Sequence, residues 1–93
     1  MSSSSGAATQ IYSAQFDRRF LSLPPDIQTR VQHRIDSLGQ QLKTYPHYRT
    51  QGVDTYRLRI GDFRIIYQFN IEKNELNLIA VGNRREIYKK PLN

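Results

Sequence analysis

Between Tyr56 and Phe69 the large apolar residues fall on every second position: Tyr56, Leu58 and Ile60, then Phe63, Ile65, Tyr67 and Phe69 after Gly61-Asp62. Arg57, Arg59, Arg64, Ile66 and Gln68 stand between them. A period of two marks a half-buried strand, and a glycine-aspartate pair between two such runs predicts a two-residue hairpin turn. That turn fixes a register in which Ile60 opposes Phe63, Arg59 opposes Arg64, Leu58 opposes Ile65 and Arg57 opposes Ile66. One face is then apolar, and Arg57, Arg59 and Arg64 emerge together on the other.

The upstream half has a helical period. Ser13 is placed to cap a short helix with Phe16 and Phe20 on one side, and Pro24-Pro25 ends it. The same prolines suit the first turn of a longer helix whose Ile27, Val31, Ile35, Leu38 and Leu42 form one apolar stripe, with Tyr45-Pro46 marking its end. Ile11-Tyr12 predicts a short strand ahead of this helical hairpin. Downstream, Ile71 to Asn74 supplies a polar turn. Leu76, Leu78 and Ala80 then alternate with Asn77, Ile79 and Val81 in a strand apolar on both sides, which places it centrally. Gly82 ends that strand, and Asn83 to Lys90 is expected to form a turn or short helix. The fold class is α+β: a short N-terminal strand, a helical hairpin, three antiparallel strands in a sheet with the helices on one face, and the C-terminal turn or helix. Residues 1–9, with Ser2 to Ser5, have almost nothing to bury and are expected to be a disordered tail, leaving 10–93 as a single domain. Tyr12, Tyr56 and Tyr67 read as core or sheet residues, Tyr45 and Tyr48 as loop packing.

Composition narrows the chemistry. A domain of 93 residues buries only roughly 60 to 65% of the surface its unfolded chain exposes, too little to line a deep substrate cavity. There is no cysteine, hence no disulfide framework or thiolate site, and two histidines are too few for a catalytic zinc. No apolar run reaches the roughly 20 residues of a membrane span, and the N-terminus has no signal-peptide pattern, so the expected location is the cytoplasm. His33, on the solvent side of the long helix, and His47, beside Pro46, read as surface residues. Ser13 reads as a cap rather than a nucleophile.

Charge changes the picture most. Fourteen Lys+Arg against eight Asp+Glu give +6, and ten of the fourteen are arginine, whose planar fork matches phosphate oxygens. Arginines directly opposite one another repel, so Arg59 and Arg64 call for an anion. Two readings stay open: Asp54, Asp62 or Glu86 screens them internally, or the face takes a polyanion. Arg57, Arg59 and Arg64, with Arg84 at a strand end and Tyr88 after it, combine phosphate-binding groups with an aromatic platform, a combination suited to an unpaired nucleic-acid strand.

The run Tyr56-Arg57-Leu58-Arg59-Ile60-Gly61-Asp62-Phe63-Arg64-Ile65-Ile66-Tyr67, followed by Val81-Gly82-Asn83-Arg84-Arg85-Glu86-Ile87-Tyr88, resembles the RelE toxins of bacterial and archaeal toxin–antitoxin systems. The likeness extends over most of residues 10–90 and includes the helical hairpin. It implies a small endoribonuclease, an mRNA interferase, that enters the ribosomal A site and cuts messenger RNA with the RNA's own 2′-hydroxyl, using no metal or cofactor. By the resemblance, the family's basic residues fall on Arg57, Arg59, Arg64 and Arg84 and its tyrosine on Tyr88. Arg64 and Arg84 are expected to stabilise the phosphorane, Arg84 also as a proton donor, and Tyr88 to stack on the nucleotide or relay a proton. Arg59 stands where well-known members carry a lysine. An arginine keeps its proton, so the general base stays unassigned. Asn83 stands where many relatives carry histidine or lysine. Arg57, Arg85, Lys89 and Lys90 are expected to hold RNA phosphates. The implied partners are a cognate antitoxin and the ribosome. The superfamily's ParE-like toxins, which poison DNA gyrase without nuclease activity, and a non-catalytic basic binding domain are the alternative readings.

Overall fold

A computed structural model of the chain describes residues 7–50 and 54–83. The expected C-terminal turn or helix, and with it Arg84, Arg85, Tyr88, Lys89 and Lys90, lies outside the described residues, as do residues 1–6. The chain runs β1 (Thr9–Tyr12), α1 (Ala14–Leu21), α2 (Pro25–Gln40), β2 (Tyr48–Arg49), β3 (Tyr56–Ile60), β4 (Phe63–Asn70) and β5 (Glu75–Asn83). One five-stranded sheet has the order β1-β5-β4-β3-β2, with β1 parallel to β5 and the other pairs antiparallel. The α+β class expected from the period change is the observed one. Thr9 opens β1, and Ala8 is buried with its N–H donating to the Gly39 carbonyl at 2.9 Å.

Each helix starts where its first residues dictate. The Ser13 hydroxyl accepts from the Phe16 N–H at 3.0 Å, capping α1, and donates to the Ile79 carbonyl at 2.7 Å, tying the cap to β5. α2 starts at Pro25, where a missing N–H is harmless. Its Val31, Ile35 and Leu38 are completely buried, and Phe16 joins them from α1. The long helix stops earlier than Tyr45-Pro46 led us to expect. Gln41 leaves helical geometry at φ −124°, and Leu42 reaches the core from the turn that follows rather than from the helix.

The hairpin register matches the expected one at all four pairs, from Ile60 opposite Phe63 to Arg57 opposite Ile66. Gly61 sits at φ 59°, the left-handed value that the first residue of a type II′ turn needs and that a side chain resists. β5 lies between β1 and β4, the central placement its two apolar faces required. Its alternation is not uninterrupted, however. The pairing steps from Ile66 opposite Ala80 to Tyr67 opposite Leu78, leaving Ile79 as the extra residue of a bulge. The bulge reverses the phase, so Val81 rather than Ala80 continues the buried row of Leu76 and Leu78. That row packs with Leu58, Ile60, Ile65 and Tyr67 against the helices.

Candidate nucleic-acid interface

The two faces of β3 and β4 follow from strand alternation alone. Leu58, Ile60, Ile65 and Tyr67 are buried, which turns Arg57, Arg59 and Arg64 to the opposite side of the sheet. Arg57 and Arg59 are exposed and Arg64 is half-buried. In a two-residue hairpin the pair flanking the turn exchanges both hydrogen bonds, so the next pair, Arg59 and Arg64, is the closer kind, with about 4.5 Å between Cα atoms. Arg57 lies two residues farther along β3, about 7 Å away. Three arginines thus project from one small area of the same sheet face. Gly82 lies opposite Arg64 and brings no side chain to that row.

Of the three carboxylates that could screen the arginines, Glu86 lies outside the described residues. Among the described residues an ion pair joins Asp54 to Arg49, at 3.9 Å between two exposed side chains, and no carboxylate pairs with Arg57 or Arg59. Asn83, last in β5, is half-buried opposite Phe63, and Arg84 follows it in sequence. Among the described residues no three His, Asp or Glu side chains converge as they would around a metal ion, and no helix is long and apolar enough to cross a membrane. A cleft of about 280 Å³ lies between the α1–α2 link and the ends of β4 and β5, lined by Arg19, Ser22, Leu23, Phe63, Gly82 and Asn83 among others.

Two residues read as bland from the sequence have definite positions. His47 is half-buried rather than on the surface. Its Nε2–H donates to the Leu42 carbonyl at 2.8 Å, so Nδ1 accepts from the Tyr67 hydroxyl at 2.6 Å. Its ring stacks on Phe69 with centroids 4.1 Å apart, and Tyr45 and Tyr56 adjoin it. Burial pushes the Tyr67 phenol far above the usual tyrosine range, with smaller contributions from Tyr45 and Tyr56. His47 is therefore engaged on the core side of the sheet, away from the arginines. Tyr48, expected as loop packing, belongs instead to the edge strand β2. It pairs with Arg57 and is 61% exposed. Two residues are too few to show a period, so the sequence signal was only the alternation of His47, Tyr48 and Arg49 beside Pro46.

A family model for the ParE toxin of the type II toxin–antitoxin system parDE matches residues 11–88. The chain belongs to the ParE toxin family of type II toxin–antitoxin systems. This family model spans the arginine hairpin, the helices and the segment through Tyr88. Among curated proteins no sequence relative matches. Solved structures do. The isolated RelE toxin of E. coli aligns at a TM-score of 0.72 and 17% identity, covering 89% of this chain and 93% of that one. The toxin–antitoxin complex RelBE2 of Mycobacterium tuberculosis gives 0.72 and 21%, covering 84% and 92%. The archaeal RelE–RelB complex of Pyrococcus horikoshii gives 0.68 and 23%, covering 84% and 96%. At these identities the likeness is one of fold, and this ParE-family toxin carries the RelE architecture.

Proposed function

We propose that this toxin is a ribosome-dependent endoribonuclease that acts in the cytoplasm on messenger RNA in the ribosomal A site. The observation that carries the reading is the convergence of Arg57, Arg59 and Arg64 on one open face, with Arg59 directly opposite Arg64. In the reaction the 2′-oxygen attacks the adjacent phosphorus while the P–O5′ bond breaks, leaving a 2′,3′-cyclic phosphate and a 5′-hydroxyl. Charge accumulates on the phosphoryl oxygens. Guanidinium groups fixed on a rigid hairpin meet it without reorganising, and one such donor is typically worth about 100- to 1,000-fold in rate. Arg64 and Arg84 take that role, Arg84 also serving as proton donor to the departing oxygen. Arg57 and Arg59 hold phosphates, joined by Arg85, Lys89 and Lys90. Arg59 keeps its proton at any physiological pH and is unsuited to be the base. Tyr88 stacks on the nucleotide and is the remaining candidate among these residues for moving the proton from the 2′-hydroxyl. The shallow site explains why the ribosome is needed: it holds the reacting nucleotide in line.

A cognate antitoxin completes the proposal, supported by solved relatives that are complexes of RelE-type toxins with RelB antitoxins. The ParE name of the family model raises a second reading, a gyrase poison that acts by binding protein, which the RelE-type structural relatives do not favour. Induced expression separates the two. Our reading expects messenger cleavage that requires translation and no DNA-damage response; intact messengers with induced DNA damage would replace it with the gyrase reading.

A further inference from the structure

The edge strand β2 gives the arginine face a feature that the three arginines do not explain. Tyr48 stands directly across from Arg57, and opposed residues of an antiparallel pair share a face. Arg49 turns to the other side, its guanidinium 5.8 Å from the centre of the Tyr56 ring. Among the described residues the Tyr48 ring stacks on no other ring and its hydroxyl makes no hydrogen bond, although the side chain is 61% exposed. Proteins usually guard a sheet edge with charge. Here a large, unengaged aromatic ring sits on the edge, on the face where the arginines gather.

The rows of the sheet give the spacing. Arg59, Arg64 and Gly82 form one row, and Tyr48, Arg57, Ile66 and Ala80 form the next. From Arg59 the path to Tyr48 is two residues along β3 and one strand outward, about 7 Å and about 5 Å. A guanidinium and a ring side by side match the two recognition elements of one nucleotide, phosphate and base.

We propose that Tyr48 is a base-stacking platform: Arg57 holds the phosphate of one nucleotide, its base lies on the Tyr48 ring, and the neighbouring nucleotide occupies Arg59 and Arg64. This extends the RNA site toward the β2 edge and rests on the reading of the face as an RNA site. Because every base has a π-face, the platform tolerates any base.

The test is binding of a short single-stranded RNA of mixed sequence to the full chain, compared with Tyr48→Ala and Tyr48→Phe, with unfolding midpoints measured alongside. Tyr48→Ala should weaken binding about 5- to 150-fold, the span expected of one lost stack, and Tyr48→Phe should bind within about twofold of the parent. The salt dependence should keep the same slope in Tyr48→Ala, since no phosphate contact is lost, whereas Arg57→Ala should lower the slope by about 0.7. An abasic site scanned along the RNA should, at one position, cost the parent affinity and cost Tyr48→Ala none, the coupling that only a ring-to-base contact produces. Parental affinity in Tyr48→Ala, or an abasic scan that affects both proteins alike, overturns the platform. RNA binding that depends on Tyr48 without cleavage of ribosome-bound messenger would keep the platform and remove the nuclease reading. No RNA binding by the parent removes both.

Discussion

The β3–β4 hairpin has two unlike faces. On the core side Leu58, Ile60, Ile65 and Tyr67 are buried, and His47 closes the end of the sheet by hydrogen-bonding Tyr67 and stacking on Phe69. On the open side, one residue away in each strand, Arg57, Arg59 and Arg64 stand together with Tyr48. On the core side the Tyr67 hydroxyl and both ring nitrogens of His47 are hydrogen-bonded. The open side brings like charges together, an arrangement that disfavours the isolated fold and favours a polyanion. Alternation at a period of two lets a small domain keep stability and chemistry in the same strands without mixing them. Substitutions should therefore sort cleanly: open-side changes alter activity at constant stability, and core-side changes do the opposite.

The largest expected effect is on the open side. Arg64→Ala, and Arg84→Ala by its proposed role, should each reduce single-turnover cleavage on programmed ribosomes by about 100- to 1,000-fold. Unfolding midpoints should stay close to the parent's. A variant that loses activity because it unfolds would break the separation of the two faces.

Next comes the core side. Tyr67→Phe removes the donor to His47 Nδ1 and leaves that half-buried acceptor unpaired, which should destabilise the fold by about 1–3 kcal/mol in denaturant titrations while leaving cleavage by the folded protein intact. The same residue gives the comparison a pH signature. The folded state holds the Tyr67 proton far above the usual range, and the unfolded chain releases it near pH 10. Its contribution is therefore fully present below about pH 10 and is lost as pH rises above it, at about 1.4 kcal/mol per unit. Tyr67→Phe should flatten that alkaline limb; an unchanged limb would mean that the phenol ionises as readily folded as unfolded.

How far these faces could be read from the sequence depends on length and on bulges. The β3–β4 hairpin was legible to the residue, because Gly61-Asp62 fixes the turn and a one-residue slip would have buried three arginines. The β5 phase was not. The extra residue at Ile79 is defined by partners distant in sequence, Ser13 among them, and a run apolar on both sides gives no period to betray it. β2 was invisible for a simpler reason: two residues carry no periodicity, so Tyr48 passed as loop packing and His47 as surface. The arginine half of the site came from alternation, the tyrosine on its edge only from pairing.

A smaller core-side effect tests the bulge. Ser13→Ala removes both the α1 cap and the hydrogen bond to the Ile79 carbonyl, and should cost about 1–2 kcal/mol of stability with activity unchanged. Smallest of all, Arg57→Ala should lower the log-log salt slope of RNA binding by about 0.7, the contribution of one phosphate on a single strand. A slope that does not move would take Arg57 out of the phosphate path.

The reaction proposed for the open arginine face is cleavage of messenger RNA by the RNA's own 2′-hydroxyl. The direct measurement is end-mapping of a defined messenger on programmed ribosomes treated with the purified chain, alongside the same messenger carrying a 2′-deoxy nucleotide at the mapped cut. A cut within the A-site codon ending in a 2′,3′-cyclic phosphate, abolished by the single deoxy substitution, is the expected result. Cleavage that persists across the deoxy nucleotide, or a messenger left whole on ribosomes saturated with the toxin, contradicts it.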